Sequence, residues 1–461
     1  MKKLASFILM FLIFISLSCK KVKIENNSYK PRLLITTDIG GDPDDMQSMI
    51  RLLLYSNEFE IEGLVASASG TIGELDEAVV RTDLIKKIVN AYAEVQPNLM
   101  LHDPDYPLAD TLFVRIKNGN PQRGSTAVGE GHLTEGSAWI IQQVDESEEL
   151  LNVAIWGGQT DLAQALWQVK SNRSKDEYRK FIAKLRVHDI ADQDSLFPHI
   201  KANHPDLFYI LNRASLQEDK RNAVFRGMYL DGNEQVTSLD WLKENIIENH
   251  GSLGALYPQK TWTAPNPYSA MKEGDTPSWF YFLPNGLNVP EHPEYGGWGG
   301  RFEPIENQYY NDSQDSWNGI TNARVTVARW REDFQRGFAA RMDWCVKEPK
   351  ESNHAPVAIV NSLSSSEPIY IEASAMEELI FDASKSYDPD GDQLEYEWTS
   401  YPEAGNLQQQ NLNYNPNDPS KITIYVPKLG NEQLHLIAKI TDNGSPALTS
   451  YKRIIITNKT Q

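Results

Sequence analysis

Short apolar runs that alternate with helical patterns constrain this chain more than any other feature of it. Leu33–Thr36, Ile61–Ala66, Leu151–Trp156, Leu185–Ile190 and Leu207–Leu211 have the length and composition of buried strands. Between them, stretches such as Met46–Tyr55, Val79–Ala93 and Thr160–Val169 repeat apolar residues at helical spacing. This alternation predicts an α/β unit with a parallel, doubly wound sheet, whose ligand-carrying loops cluster at the strand C-termini. A helical pattern over Asn322–Cys345 closes the unit. The stretch Asn249–Asp315, poor in period and rich in Gly, Pro, Trp and Tyr, is expected as ordered loops over the site.

Residues 347–356 have linker composition, so the α/β unit is expected over 31–346 and a second unit over 357–461. In that second unit Ile369–Ile371, Leu394–Trp398, Ile422–Val426, Leu434–Ile440 and Lys452–Ile456 read as short strands between turns, the pattern of a small immunoglobulin-like β-sandwich. Asp388-Pro389-Asp390-Gly391-Asp392 fails the calcium-loop test, because Thr399 stands where a bidentate Glu is needed, and reads as a tight turn.

The 461 residues, 40% of them hydrophobic, suffice for more than one core, and a net charge of -19 argues against a nucleic-acid partner. Lys2-Lys3, an apolar stretch from Phe7 to Ile15, and Ser16-Leu17-Ser18-Cys19 have the shape of an export signal, too short for a comfortable membrane span. Residues 1–18 resemble a bacterial lipoprotein signal with Cys19 as the lipidated residue, followed by a polar tether over 19–30; a plain signal peptide is the alternative. The expected location is the bacterial cell envelope, with the membrane met through the lipid anchor only. Cys345 is then without a disulfide partner and reads as a small buried hydrophobe.

The first strand runs into Thr37-Asp38-Ile39-Gly40-Gly41-Asp42-Pro43-Asp44-Asp45, which places four carboxylates within eight positions where a helix begins. So many carboxylates repel one another unless a cation neutralises them. Oxygen ligands without a nearby Cys or His suit calcium or magnesium rather than zinc. The plainer reading is a solvated acidic turn with one Asp as helix cap.

This loop, together with Glu62-Gly63-Leu64-Val65-Ala66 and Ile155-Trp156-Gly157-Gly158-Gln159-Thr160-Asp161-Leu162, resembles the calcium-holding frame of nucleoside hydrolases. More closely, residues 31 to about 345 resemble the nucleoside-hydrolase-like domain of a bacterial family labelled cellulose-binding protein, on Leu185–Asp194, Gly274-Asp275-Thr276-Pro277-Ser278 and Gly296-Gly297-Trp298-Gly299-Gly300-Arg301. The resemblance implies Asp38, Asp45 and the Trp156 carbonyl as Ca2+ ligands, with Asp275 as the remote carboxylate ligand. It implies Asp38 as the base that takes a proton from the attacking water, Asp44 as the holder of a sugar hydroxyl, and Asp192, Gln193 and Asp194 along the sugar.

Two departures stand out against that pattern. Asp38 and Asp44 are six apart rather than four, with Asp42-Pro43 as the insertion and Asp42 placed to replace a usual ligand. Gly274 stands where several nucleoside hydrolases carry a His that protonates the leaving base, so Glu130, His132 and His250 become candidate acids. Trp298 and Tyr295 read either as stacking platforms for a sugar ring or as loop packing, and Arg301 as a partner for a substrate carboxylate or a site Asp. The expected function is calcium-dependent hydrolysis of an N- or O-glycosidic bond in a sugar-containing small molecule or oligosaccharide. Non-catalytic binding of carbohydrate such as cellulose, and nucleoside hydrolysis, are the rivals.

Overall fold

The strand expected first, β1 (Arg32–Thr37), is buried along its whole length, with Leu33 and Ile35 entering one core and Leu34 the other. A strand apolar on both faces needs cover on both, which parallel sheets obtain from crossover helices. The computed structural model describes residues 30–69, 78–261, 270–405, 413–414 and 417–459. The expected export signal and Cys19 lie outside the described residues.

After β1 come α1 (Asp44–Leu54), β2 (Glu60–Ala66), α2 (Thr82–His102), β3 (Ile116–Asn118), α3 (Glu135–Asp145), β4 (Leu151–Trp156), α4 (Gln159–Asn172), β5 (Leu185–Ile190) and β6 (Phe208–Asn212). The region expected as loops supplies two further strands, β7 (Phe302–Glu306) and β8 (Tyr309–Asp312). The sheet order is β3-β2-β1-β4-β5-β6-β8-β7, parallel throughout except for the edge strand β7. β7 escapes sequence reading because only Phe302 is buried in it, which leaves no apolar alternation. The closing helical pattern divides into a turn at Val325–Ala328 and α5 (Arg331–Asp343).

The C-terminal unit packs a four-stranded sheet, β9 (Ile369–Ala373), β15 (Thr449–Asn458), β14 (Leu434–Asp442) and β11 (Leu394–Ser400), on a three-stranded one, β10 (Glu378–Asp382), β13 (Lys421–Tyr425) and β12 (Asn413–Tyr414). Asp388 accepts from the backbone N–H groups of Asp390 and Asp392, so the acidic run is a tight turn. Cys345 is buried without a disulfide.

The stretch expected as a linker is clamped. Trp344 stacks against both His102 and His354, and Asn353 donates to Asp442 (2.9 Å) and to the Pro446 carbonyl (2.9 Å). Across the same seam the fully buried Arg453 donates to the carbonyls of Leu287 (2.7 Å) and Gly296 (2.8 Å), while Asp333 of α5 accepts from Tyr451 (2.5 Å) and Lys439 (2.9 Å). Gly286 sits at φ +78°, and a Cβ on it would lie 2.2 Å from the Tyr451 carbonyl oxygen. Gly286→Ala is therefore expected to cost about 1–3 kcal/mol through overpacking and the unfavourable φ. Urea denaturation measures the loss, and limited proteolysis is expected to open residues 347–356 in the variant only. Unchanged stability and protection would show that this close approach does not hold the seam.

Candidate metal and active site at the switch point

The sheet order reverses between β1 and β4, since β1 leads outward to β2 while β4 leads the other way to β5. Ligands of open α/β sheets bind at such a point, outside the strand C-termini. Asp38 follows β1 and Gly157 follows β4, and the two touch. Thr36 Oγ1 donates to the Gly157 carbonyl (2.6 Å), and a Cβ on Gly157, at φ +126°, would fall 2.6 Å from the Asp38 Cγ. A side chain there would displace Asp38.

Asp44 and Asp45 occupy the first turn of α1, yet neither caps it, because Pro43 holds the cap position and no side chain caps the helix. The plain capping account of the acidic loop therefore fails. Instead Asp44, Asp45 and Asp275 each bring a carboxylate oxygen within 4.8 Å of the others. Thr37 Oγ1 donates to Asp45, which orients one of its oxygens. Asp275 Oδ2 is buried with no hydrogen-bond partner among the described residues. Burial, and then the neighbouring carboxylates, hold the Asp45 and Asp275 carboxyls well above the usual range, and burial raises Asp44 against the pull of Lys272. Three converging carboxylates, one of them with an orphaned oxygen, fit a hard divalent cation whose bonds are about 2.3–2.6 Å long.

The segment carrying Asp275 is bound to α1 from below. Gln47 donates to the carbonyls of Pro258 (2.8 Å) and Ala270 (3.0 Å) and accepts from the Lys272 N–H (2.9 Å). Arg51, one turn on and fully buried, pairs bidentately with Glu273 (2.5 and 3.1 Å).

Two cations missed by sequence reasoning complete the electrostatics. Arg123 donates to Asp38 Oδ2 (2.6 Å) and to the Ala68 carbonyl (2.8 Å), and lies 3.8 Å from Asp194. Burial pushes the Asp38 carboxyl up to about 7, against the pull of Arg123 and with the push of Asp194 and Asp44. Lys272 bonds Asp42 and lies 3.3 Å from Asp44; burial would lower its ammonium, but these carboxylates more than offset this and raise it. Lys272 carried one signal in sequence, its place three residues before Asp275, whereas Arg123 follows a strand of three residues, too short to show a period.

The grouping differs from the expected ligand set. Asp44 stands in the triad where Asp38 was expected; Asp38 is held by Arg123. The Trp156 carbonyl accepts from Gln193 (3.0 Å). Asp194 accepts from the N–H and hydroxyl of Thr160 (2.9 and 2.7 Å) at the start of α4, and Asp192 from Arg213 (2.6 Å) and the Phe197 N–H (2.9 Å). Other expected residues have different partners. Trp298 is buried against Phe280, Phe334 and Tyr451, which answers to loop packing rather than sugar stacking, and Tyr295 lies between His292 and His435. Arg301 pairs with Asp315 (2.7 Å), not with a site Asp, and His250 with Asp343 (3.3 Å). Glu130 is exposed and His132 half-buried on the loop that also carries Arg123. The space beside Gly274 is closed by the Phe225 ring, 3.2 Å from where a Cβ would lie.

A family model described as "Cellulose-binding Sde182, nucleoside hydrolase-like domain" matches residues 32–302. The chain belongs to this family. A second model, "Cellulose-binding protein Sde0182, C-terminal domain", matches residues 378–458. Among solved structures, a nucleoside hydrolase-related hypothetical protein from Saccharophagus degradans, described as associated with carbohydrate metabolism, is 31% identical with a TM-score of 0.78, over 94% of this chain and 100% of its own. The effector protein XOO4466 shares 12% identity over 69% of this chain and 94% of its own, and its TM-score of 0.37 carries no argument. No curated protein matches the chain.

The triad sets two expectations. Each raised carboxyl keeps its proton longer in the folded chain than in the unfolded one. With a chelator present, the contribution of Asp38 beside them is therefore fullest below the unfolded value of about 4 and falls as the pH climbs towards about 7, and the contributions of the raised triad carboxyls are lost in the same direction, as the pH rises. Calcium at a hundredfold excess over its dissociation constant should add about 2.7 kcal/mol of stability to the wild type and little to Asp275→Asn. Equal shifts in the two proteins, read by thermal or urea unfolding, would remove Asp275 from the cation site.

Proposed function

We propose that this chain hydrolyses a glycosyl bond of a sugar-containing substrate at the Asp38 cluster, with a hard divalent cation, calcium by preference, held by Asp44, Asp45 and Asp275. The observation that carries the reading is the orphaned Asp275 oxygen beside two further carboxylates at the switch point, with the nearly buried Asp38 next to them. A cation there would neutralise the triad and supply Lewis acidity.

The chain's own residues supply the rest. Asp38 is fixed by the Gly157 backbone on one side and Arg123 on the other, so its carboxylate is set to take the proton of an attacking water. The surrounding carboxylates place negative charge where an oxocarbenium-like sugar develops positive charge. Asp42 and Asp44, tied together by Lys272, stand at the mouth of the loop as acceptors for sugar hydroxyls. Gly274 and the Phe225 ring fill the place of a His that would protonate a leaving base, which supports a carbohydrate substrate over a nucleoside. In the same proposal, the export signal and Cys19 put the activity at the cell envelope.

A second reading, carbohydrate binding without turnover, is supported by the family's description and by the Arg123–Asp38 ion pair, which occupies the base. A hydrolysis screen of β-glucan oligosaccharides, aryl glycosides and nucleosides, with and without chelator, separates the two. Asp38→Asn is expected to lower turnover at least about a hundredfold while leaving sugar binding in place, as loss of a general base does. Sugar binding with no turnover by the wild type on any of the three classes would leave the binding reading standing.

A further inference from the structure

A cleft of about 430 Å³ opens beyond the C-terminal ends of β6 and β8, walled by Arg213, Glu218, Asn222, Glu303, Asn311 and Asp312 among others. Because β6 and β8 run parallel to the rest of the sheet, the cleft shares its edge with the acid cluster. Neighbouring strands lie about 4.8 Å apart, so the order β1-β4-β5-β6-β8 sets it roughly 15–20 Å along that edge from Asp38.

Two connections join the cleft to the cluster. Arg213 donates from the cleft wall to Asp192 (2.6 Å). Asp312, on the same wall, accepts from the Val224 N–H (2.8 Å), and the ring of the next residue, Phe225, lies 3.2 Å from where a Cβ on Gly274 would stand. That position is 3.5 Å from Asp44 Oδ2. The Val224-Phe225 segment therefore touches the cleft with one residue and borders the triad with the other.

The wall offers free hydrogen-bonding groups that a ligand can reach. Asn222 and Asn311 are half-buried, their side chains make no hydrogen bond among the described residues, and neither amide is closed off from solvent. Each amide brings two N–H donors and an acceptor oxygen, which together match a ligand whose hydroxyls both donate and accept. Charge narrows the choice. Glu218 and Glu303 are exposed and have no ion pair among the described residues, while Arg213, the one cation of the wall, is already engaged by Asp192. An anionic ligand would meet carboxylates and no free cation. The wall's carboxylates do not converge as those of the triad do, so the cleft is not built for a metal ion. Its volume lies within the roughly 300–1,000 Å³ of small-ligand sites.

We propose that this cleft is a distal subsite for a neutral oligosaccharide that extends from Asp38 along the sheet edge, with Asn222 and Asn311 bonding its far end. The proposal rests on the reading of the acid cluster as a glycosyl-bond site and gives its substrate a class: an uncharged chain long enough to span the edge, rather than a single ring. Glu218 and Glu303 turn away acidic sugar chains.

The test uses the full chain with calcium, carrying Asp38→Asn so that sugars stay uncleaved, and calorimetry with cellobiose, cellopentaose, xylobiose and xylopentaose. At least one pentamer is expected to bind at least about tenfold more tightly than its dimer, the order of one or two added hydrogen bonds. Asn222→Ala and Asn311→Ala, each added to that background, should close most of the gap and leave the melting temperature of the free protein unchanged, since neither amide is bonded within the fold. A galacturonic acid pentamer should bind far more weakly than the neutral one. The proposal is overturned if no pentamer outbinds its dimer, if both asparagine variants keep the gap, or if the acidic pentamer binds as tightly as the neutral ones. Turnover by the wild type is read separately. A gap without turnover on any sugar supports the subsite and overturns catalysis at Asp38, whereas turnover without a gap overturns the subsite and supports catalysis.

Discussion

A buried ion pair, Arg51 with Glu273, holds the two halves of the acid site in register. Arg51 lies on the helix that begins with Asp44 and Asp45, and Glu273 lies two residues before Asp275. Both side chains are fully buried, and the guanidinium is further bonded by Gln335 (2.6 Å) and the Phe334 carbonyl (3.2 Å), with the Phe338 ring 3.9 Å beneath it. Breaking one partner of such a pair costs about 3–5 kcal/mol, because the other charge is stranded. That expense secures placement rather than stability. Without it, the segment that brings Asp275 to the triad would be held to α1 by the hydrogen bonds of Gln47 and by the Lys272–Asp44 pair at the helix start.

Charge is the second constraint. Asp38, Asp42, Asp44, Asp45 and Asp275 crowd one end of the sheet, and Arg123 and Lys272 answer three of them. The remaining negative charge sits among groups that burial already disfavours in ionised form, as the raised Asp45 and Asp275 carboxyls show. A divalent cation held by the triad would relieve this. The protein cations sit on Asp38, Asp42 and Asp44, and among the described residues none pairs with Asp275, so its orphaned oxygen stays free to meet a metal ion.

How much of this was legible in sequence depended on how local the signal was. β1, β4 and β5 are buried along nearly their whole length and came through with their boundaries nearly intact, as did the turn at Asp388. Asp45 and Asp275 were legible because a matched frame marked them. What stayed hidden was set by contacts distant in sequence. Arg123 meets Asp38 across 85 residues, and Arg51 meets Glu273 across 222. Trp298 and Arg301 looked available for a sugar because a glycine-rich loop is silent about its neighbours, and those neighbours came from α5 and from beyond residue 312. The edge strand β7 was hidden for the opposite reason, a lack of buried side chains.

The clamped stretch over 347–356 changes what the sandwich can contribute. A module on a flexible tether searches a volume set by tether length and raises the local concentration of whatever it holds. Here Arg453 and Asp333 fasten the sandwich to the α/β unit directly, and Asn353 and His354 leave the connection no slack. Whatever surface the sandwich rests on, the mouth of the acid site meets it at one fixed inclination. The C-terminal unit is thus a mount fixed to the α/β unit, not a module on a tether.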